Sequence, residues 1–193
     1  MMDHDDSILE KLYHQYFNRT YRTAYLVTGD HQMAEDATQE AFLKAFAKLD
    51  TLKDINKFGA WISVIASNQA IDFLRRSKRI IFSNNIFLHA NGNPGTSPQE
   101  SWEKTESSQE VKEALLKLEP KERKILVLRY FNELSIKEIS ALTGSPTGTV
   151  KSRLFRARKK VKSLLQPSKD CKRQLGRASK KYREDLHLNS RRR

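Results

Sequence analysis

Ser152, Phe155 and Arg156 are the residues of this 193-residue chain whose types and spacing best suit reading another molecule. They lie in SPTGTVKSRLFRARKK, residues 145–160. At about 100° per residue, Val150, Leu154, Ala157, Val161, Leu164 and Leu165 share one face of a helix, the face of a core. Phe155 falls on the other face with Gly148, Ser152, Arg156 and Lys159. An open face of this kind suits base edges in a DNA major groove, where Arg and Lys donate to guanine, Ser meets several edges, and an apolar group meets the thymine methyl. Thr149, Lys151 and Arg153 extend that surface. Lys151, Arg153, Arg158, Lys159, Lys160 and Lys162 flank it and suit phosphates, and Gly148 lets a backbone come close. The alternative is a solvated basic helix with one exposed aromatic ring.

The elements that must carry these residues can be read upstream. Ser135-Ile136-Lys137-Glu138 is a capping box, Ile139 and Leu142 continue it at helical spacing, and Gly144 stops it. Ser145 is placed to cap the next helix and Pro146 to begin it. Two helices across a tight turn, the first of about two turns, predict a helix-turn-helix. Ahead of it, Val111, Leu115 and Leu118 mark one helix, and Pro120 suits the first position of another.

The N-terminal block predicts three or four helices. Ser7 to Glu10 fits a capping box for a helix ending at Gly29, and Asp30 can cap a second that runs to about Leu49. On that second helix Asp36, Gln39, Glu40 and Leu43 share a face opposite the alanine-rich one. The pattern alone fits a solvated acidic face, with Leu43 favouring a partner surface. Residues 58–76 are apolar nearly all round, which predicts burial. Their polar stripe carries Trp61, Asn68, Asp72 and Arg75 and ends in the basic cluster of Arg75, Arg76, Lys78 and Arg79. Trp61 reads mainly as structural, and the cluster suits either a helix C-terminus or phosphates.

Charge sharpens the division. Residues 1–79 carry 11 basic and 11 acidic residues, whereas 109–166 carry 14 against 6 and 167–193 carry 10 against 3, within a net charge of +13. Positive charge gathered in the C-terminal half points to a polyanion, nucleic acid before membrane surface. The interval 80–108, rich in Ser, Asn, Gly and Pro, reads as a flexible linker; about 25 such residues span roughly 25 to 30 Å. Its apolar pieces, IIF and IFL, suggest that part of it docks. The one cysteine, Cys171, allows neither a disulfide framework nor a thiolate zinc site within one chain. With no signal-peptide pattern and no apolar run near 20 residues, the expected location is the cytoplasm.

Two motifs then resemble one family. GDHQMAEDATQEAFLKAFAKL and LSIKEISALTGSPTGTVKSRLFRARKKVK, in that order, are similar to the two conserved domains of the extracytoplasmic-function sigma factors, the small branch of the bacterial sigma-70 class. The resemblance covers residues 7–166. It implies an all-α fold of two small helical domains, sigma region 2 over residues 1–79 and sigma region 4, the helix-turn-helix, over 109–166. It also implies binding to core RNA polymerase, direction of that enzyme to promoters through minus-35 and minus-10 elements, and assistance in opening DNA. Asp36, Gln39, Glu40 and Leu43 match the surface that docks on the beta-prime coiled coil. Leu52, Asn56 and Lys57 in the loop, with Asn68, match the part that captures minus-10 bases, and Arg75, Arg76, Lys78 and Arg79 match backbone contacts beside melted DNA. Thr149, Lys151, Ser152, Arg153, Phe155, Arg156 and Lys159 match the minus-35 surface, while the preceding helices match those resting on the beta flap. The resemblance brings an anti-sigma factor as a further partner. The loop LKDINK varies across the family, so no base preference carries over, and the basic tail 167–193 has no family role.

The resemblance implies no catalytic residue, metal, cofactor or small-molecule substrate. The rival readings are a dimeric helix-turn-helix repressor or activator, for which no dimer seam is present, and a nuclease, for which the five histidines offer no metal spacing.

Overall fold

The computed structural model describes residues 6–84 and 106–165; the tail 167–193 and residues 85–105 of the expected linker lie outside the described residues. Within them there is no strand. The elements are α1 (Asp6–Thr28), α2 (His31–Phe46), two 3-10 turns (Leu49–Thr51 and Ile55–Lys57), α3 (Phe58–Asn84), α4 (Glu106–Leu116), α5 (Pro120–Leu126), a π turn (Val127–Phe131), α6 (Ile136–Thr143) and α7 (Thr147–Leu165). These form the two expected helical regions.

Local chemistry explains most boundaries. Gly29, at φ 75°, ends α1 in the left-handed region that suits glycine. Asp30 then caps α2 by accepting from the Met33 N–H at 2.8 Å. Pro120 sits at the start of α5, the Ser135–Glu138 capping box is complete, and Gly144 at φ 65° closes α6. Other ends differ from expectation. α1 already includes Ser7, so that serine lies inside the helix and the box starting there is not its cap. α2 stops at Phe46, and Leu49 tucks into the core from a 3-10 turn. α7 begins at Thr147 rather than Pro146; the Pro146 carbonyl accepts from the Val150 N–H at 3.1 Å, while the Ser145 carbonyl is taken by the Ser140 hydroxyl at 2.7 Å.

α1, α2 and α3 pack as a three-helix unit around Leu12, Phe42, Ala45, Phe58 and Ile62. Trp61 packs against this cluster, edge-on to Phe58 at 6.1 Å, in keeping with a structural role. α4 to α7 close around Ile125, Leu128, Ile139, Val150 and Leu154. The two units meet. Ala60 and Val64 of α3 join the second core, and Val127 and Phe131 join a cluster with Tyr25, Val27 and Ala70 of the first. α3 also extends to Asn84, five residues into the interval read as linker.

Candidate nucleic-acid interface

α7 is anchored by Val150, Leu154 and Ala157, all buried, and this turns its opposite face outward. Phe155 is 69% exposed, more than any other large apolar side chain among the described residues. Lys151, Ser152, Arg156 and Lys159 are exposed beside it, while Thr149 and Arg153 are half-buried. Arg156 Nε lies 3.5 Å from Glu122 Oε1 of α5, so the guanidinium is held in place across the face. A methyl group added at Gly148 would meet nothing within 4 Å, so the fold itself does not require glycine there. Leu164 and Leu165, expected on the core face, are each 39% exposed.

The other expected residues fall on two further surfaces. On α2, Leu43 is 66% exposed, Gln39 is exposed, and Asp36 and Glu40 are half-buried. Asp36 accepts from Gln32 Nε2 at 3.2 Å, and Glu40 pairs with Lys44 at 3.1 Å. On the loop ahead of α3, Asn56 and Lys57 are exposed, whereas Leu52 packs against the first core. The loop is shaped by Asp54, whose carboxylate accepts from the Asn56 N–H at 3.0 Å. Ile55 between them is 49% exposed, an apolar side chain offered to solvent that period-based reading passed over. Farther along α3, Arg75 pairs with Asp72 at 3.1 Å, Arg76 lies over Phe73, and Lys78 and Arg79 are exposed.

Asn68 has a partner the sequence did not reveal. Its Oδ1 accepts a hydrogen bond from Lys124 Nζ of α5. Burial pushes the Lys124 ammonium down to about 8, with Arg153 adding to the shift and Asp72 opposing it. The Glu138 carboxyl is held below its ordinary value first by the Ser135 hydroxyl, then by the Ser135 backbone N–H, and in small part by the Lys57 charge. Among the described residues no group of three or more His, Cys, Asp or Glu side chains could hold a metal ion, and no helix is long and apolar enough to cross a membrane.

Comparison with known proteins shows the family of the two regions. The Sigma-70 region 2 family model matches residues 12–80, and the Sigma-70 region 4 model matches residues 108–161. ECF RNA polymerase sigma factor SigW of Bacillus subtilis is 31% identical over 159 residues, which cover 78% of this chain and 85% of that one. The chain belongs to the ECF RNA polymerase sigma factors. A second relative, ECF sigma factor SigM of the same bacterium, is 30% identical over 160 residues, covering 81% and 94% of the two chains. The fold also matches the sigma factor RpoE of Bartonella quintana, solved in complex with the anti-sigma factor NepR, at a TM-score of 0.67 and 24% identity over 83% of this chain and 98% of that one. This sigma factor is therefore a DNA-binding regulator that works with core RNA polymerase and promoter DNA in promoter-directed transcription initiation. Its region 2 contains the α2 and α3 surfaces, and its region 4 contains α7.

Proposed function

We propose that this sigma factor, acting in the cytoplasm and carrying out no covalent chemistry of its own, divides its task among the three surfaces. The α2 face of Asp36, Gln39, Glu40 and Leu43 docks on the beta-prime coiled coil. Leu52, Asn56, Lys57 and Asn68, with Arg75, Arg76 and Arg79, engage the opened minus-10 element; Ile55 joins them because it projects from the same loop. Phe155 and its neighbours Thr149, Lys151, Ser152, Arg153, Arg156 and Lys159 read the minus-35 element. The functional units are residues 1–79 and 109–166, linked by 80–108 and followed by the basic tail. The observation that carries this reading is Phe155, a large apolar ring held outward among cations by a helix whose opposite face is buried. The test is transcription in vitro from a genomic template library with purified core polymerase. Core plus this chain is expected to start discrete transcripts, and Asp36→Arg is expected to abolish them by preventing assembly with core. A discrete footprint from the chain alone, with no promoter-specific transcript in the presence of core, would sink the reading.

An anti-sigma factor is a further partner in this proposal. Support comes from an apolar groove of about 880 Å³ lined by Leu26 of α1, Val111 and Leu115 of α4, Tyr130, Phe155 and Leu165, with Arg158 and Lys162 at its edge. An amphipathic acidic helix fits such a groove, its apolar side inward and its carboxylates toward the cations. Phe155 borders it, so an occupant would also cover the minus-35 face.

A further inference from the structure

α5 brings one carboxylate to the basic face of α7. Glu122, in the first turn of α5, has its side chain 17% exposed, and its Oε1 lies 3.5 Å from Arg156 Nε. Among the described residues Arg156 is the one α7 cation that an ion pair engages. Lys151, Arg158 and Lys159 are exposed on the same helix, and Arg153 lies near a second positive charge, Lys124 of α5. A carboxylate in this company works against the binding of a polyanion, because it cancels charge that would otherwise meet phosphates. What it supplies instead is direction.

Direction matters for arginine because the guanidinium is planar and its donors are fixed in a fork. With the Nε edge turned to Glu122, the two Nη groups remain, and among the described residues they have no hydrogen-bond partner. Two N–H groups side by side match O6 and N7 of guanine in the major groove, the commonest base-specific contact of arginine.

The support for this carboxylate is rigid. Arg123, next to Glu122, is 5% exposed, and its Nη2 donates to the Leu116 and Leu118 carbonyls at 2.8 and 3.1 Å. Those bonds lie within the second unit. Other ties cross to the first: Arg123 Nη1 donates to the Val27 carbonyl at 2.5 Å, and Asn132 accepts from Ser63 Oγ at 2.8 Å and donates to Thr23 Oγ1 at 3.1 Å. The start of α5 thus has a frame that does not depend on the first unit. Ile125 and Leu126 share a core with Val150 and Leu154, which sets the register of α5 against α7.

We propose that Glu122 is a positioning residue for promoter reading: its carboxylate holds the Nε edge of Arg156 so that Nη1 and Nη2 meet a guanine of the minus-35 element as a two-pronged donor. The inference rests on the assignment of Arg156 to that element.

The experiment uses holoenzyme assembled from core polymerase and the full chain, bound to duplexes of a promoter it transcribes, with one minus-35 base pair replaced at a time. The readout is the ratio of affinities for the original and replaced pair, which a general change in folding or charge leaves unmoved. Arg156→Ala is expected to flatten the preference at one guanine-containing pair by about tenfold, the scale of one mismatch. Glu122→Ala is expected to lower the preference at that same pair by about three- to tenfold and at no other, and Glu122→Gln to lower it less. The double variant is expected to be no worse than Arg156→Ala, since residues that act through one contact are not additive. An exposed ion pair adds little to stability, so the variants keep their fold; if Glu122→Ala lowers the melting temperature, the nearly isosteric Glu122→Gln decides. Full preference kept in both Glu122 variants, whether overall affinity rises or falls, would overturn the positioning role while leaving Arg156 as a base reader. A further loss on adding Glu122→Ala to Arg156→Ala would overturn the route through Arg156. No position flattened by Arg156→Ala would instead sink the assignment on which the inference rests.

Discussion

Lys124, buried against α3 with Arg153 nearby, has its ammonium pushed down to about 8 from an ordinary 10.5, and this ties stability to pH. Below about 8 the folded and unfolded chains both hold the proton, and the cost of burying the charge is present in full. Between about 8 and 10.5 the unfolded chain holds more protons, so stability rises as pH rises. From about pH 7.5 to 9.5 the gain at this one site is about 1 to 2 kcal/mol. Urea midpoints of the wild-type chain should climb over that range more steeply than those of Lys124→Met; parallel profiles would mean that Lys124 titrates as an exposed lysine. Phe155 makes a different kind of prediction. Phe155→Ala should leave core binding intact and cost about tenfold in preference for minus-35 duplex over scrambled duplex, the scale of one lost base contact. Equal weakening on both duplexes would make Phe155 a general packing residue. Its outward direction was legible in the sequence because the core stripe of α7 is regular. The salt bridge from Arg156 to Glu122 was not, since nothing in either segment specifies how α5 crosses α7.

Helix ends were the most legible feature where a single side chain sets the end. Asp30, Pro120, Ser135 and Gly144 each act through bonds or dihedral angles within a few residues, so sequence spacing suffices. The start of α7 lies one residue beyond the expected Pro146, and the Ser145 carbonyl is claimed by Ser140 of α6, a bond from the preceding helix to the turn that helical spacing does not show. The capping box of α6 gives a direct test. Ser135→Ala should lower stability by about 1 kcal/mol, read as a fall of a few degrees in melting temperature, and Glu138→Gln should cost less because the amide still reaches the Ser135 N–H. A Ser135→Ala chain as stable as wild type would show that packing of Ile139, rather than the cap, fixes α6.

At the scale of the whole molecule, the sequence predicts two helical units joined by a linker, and the structure packs the two units against each other. The sign was present in the all-round apolarity of α3, which reads as burial; Ala60 and Val64 are apolar because the second unit lies on them. Asn132, Thr23 and Ser63 gave no sign, since a polar residue carries no period that reveals a distant partner. Shared clusters predict that both units melt as one. Helix content and tryptophan fluorescence should trace a single urea transition, and Val64→Ala should shift it by about 2 kcal/mol for the whole chain. Two separate transitions would mean that the contact is too weak to couple them. The π turn at Val127–Phe131 adds a consequence of its own. An α-helix advances about 100° per residue, and the Asn132 N–H bonds back to the Val127 carbonyl across five residues instead of four. The turn is therefore a one-residue phase shift written into the helix. Deleting one residue within it would restore ordinary winding and rotate Asn132 by about a quarter of a turn, away from α1. Insertions and deletions in this five-residue stretch would then retune how the elements before and after it meet.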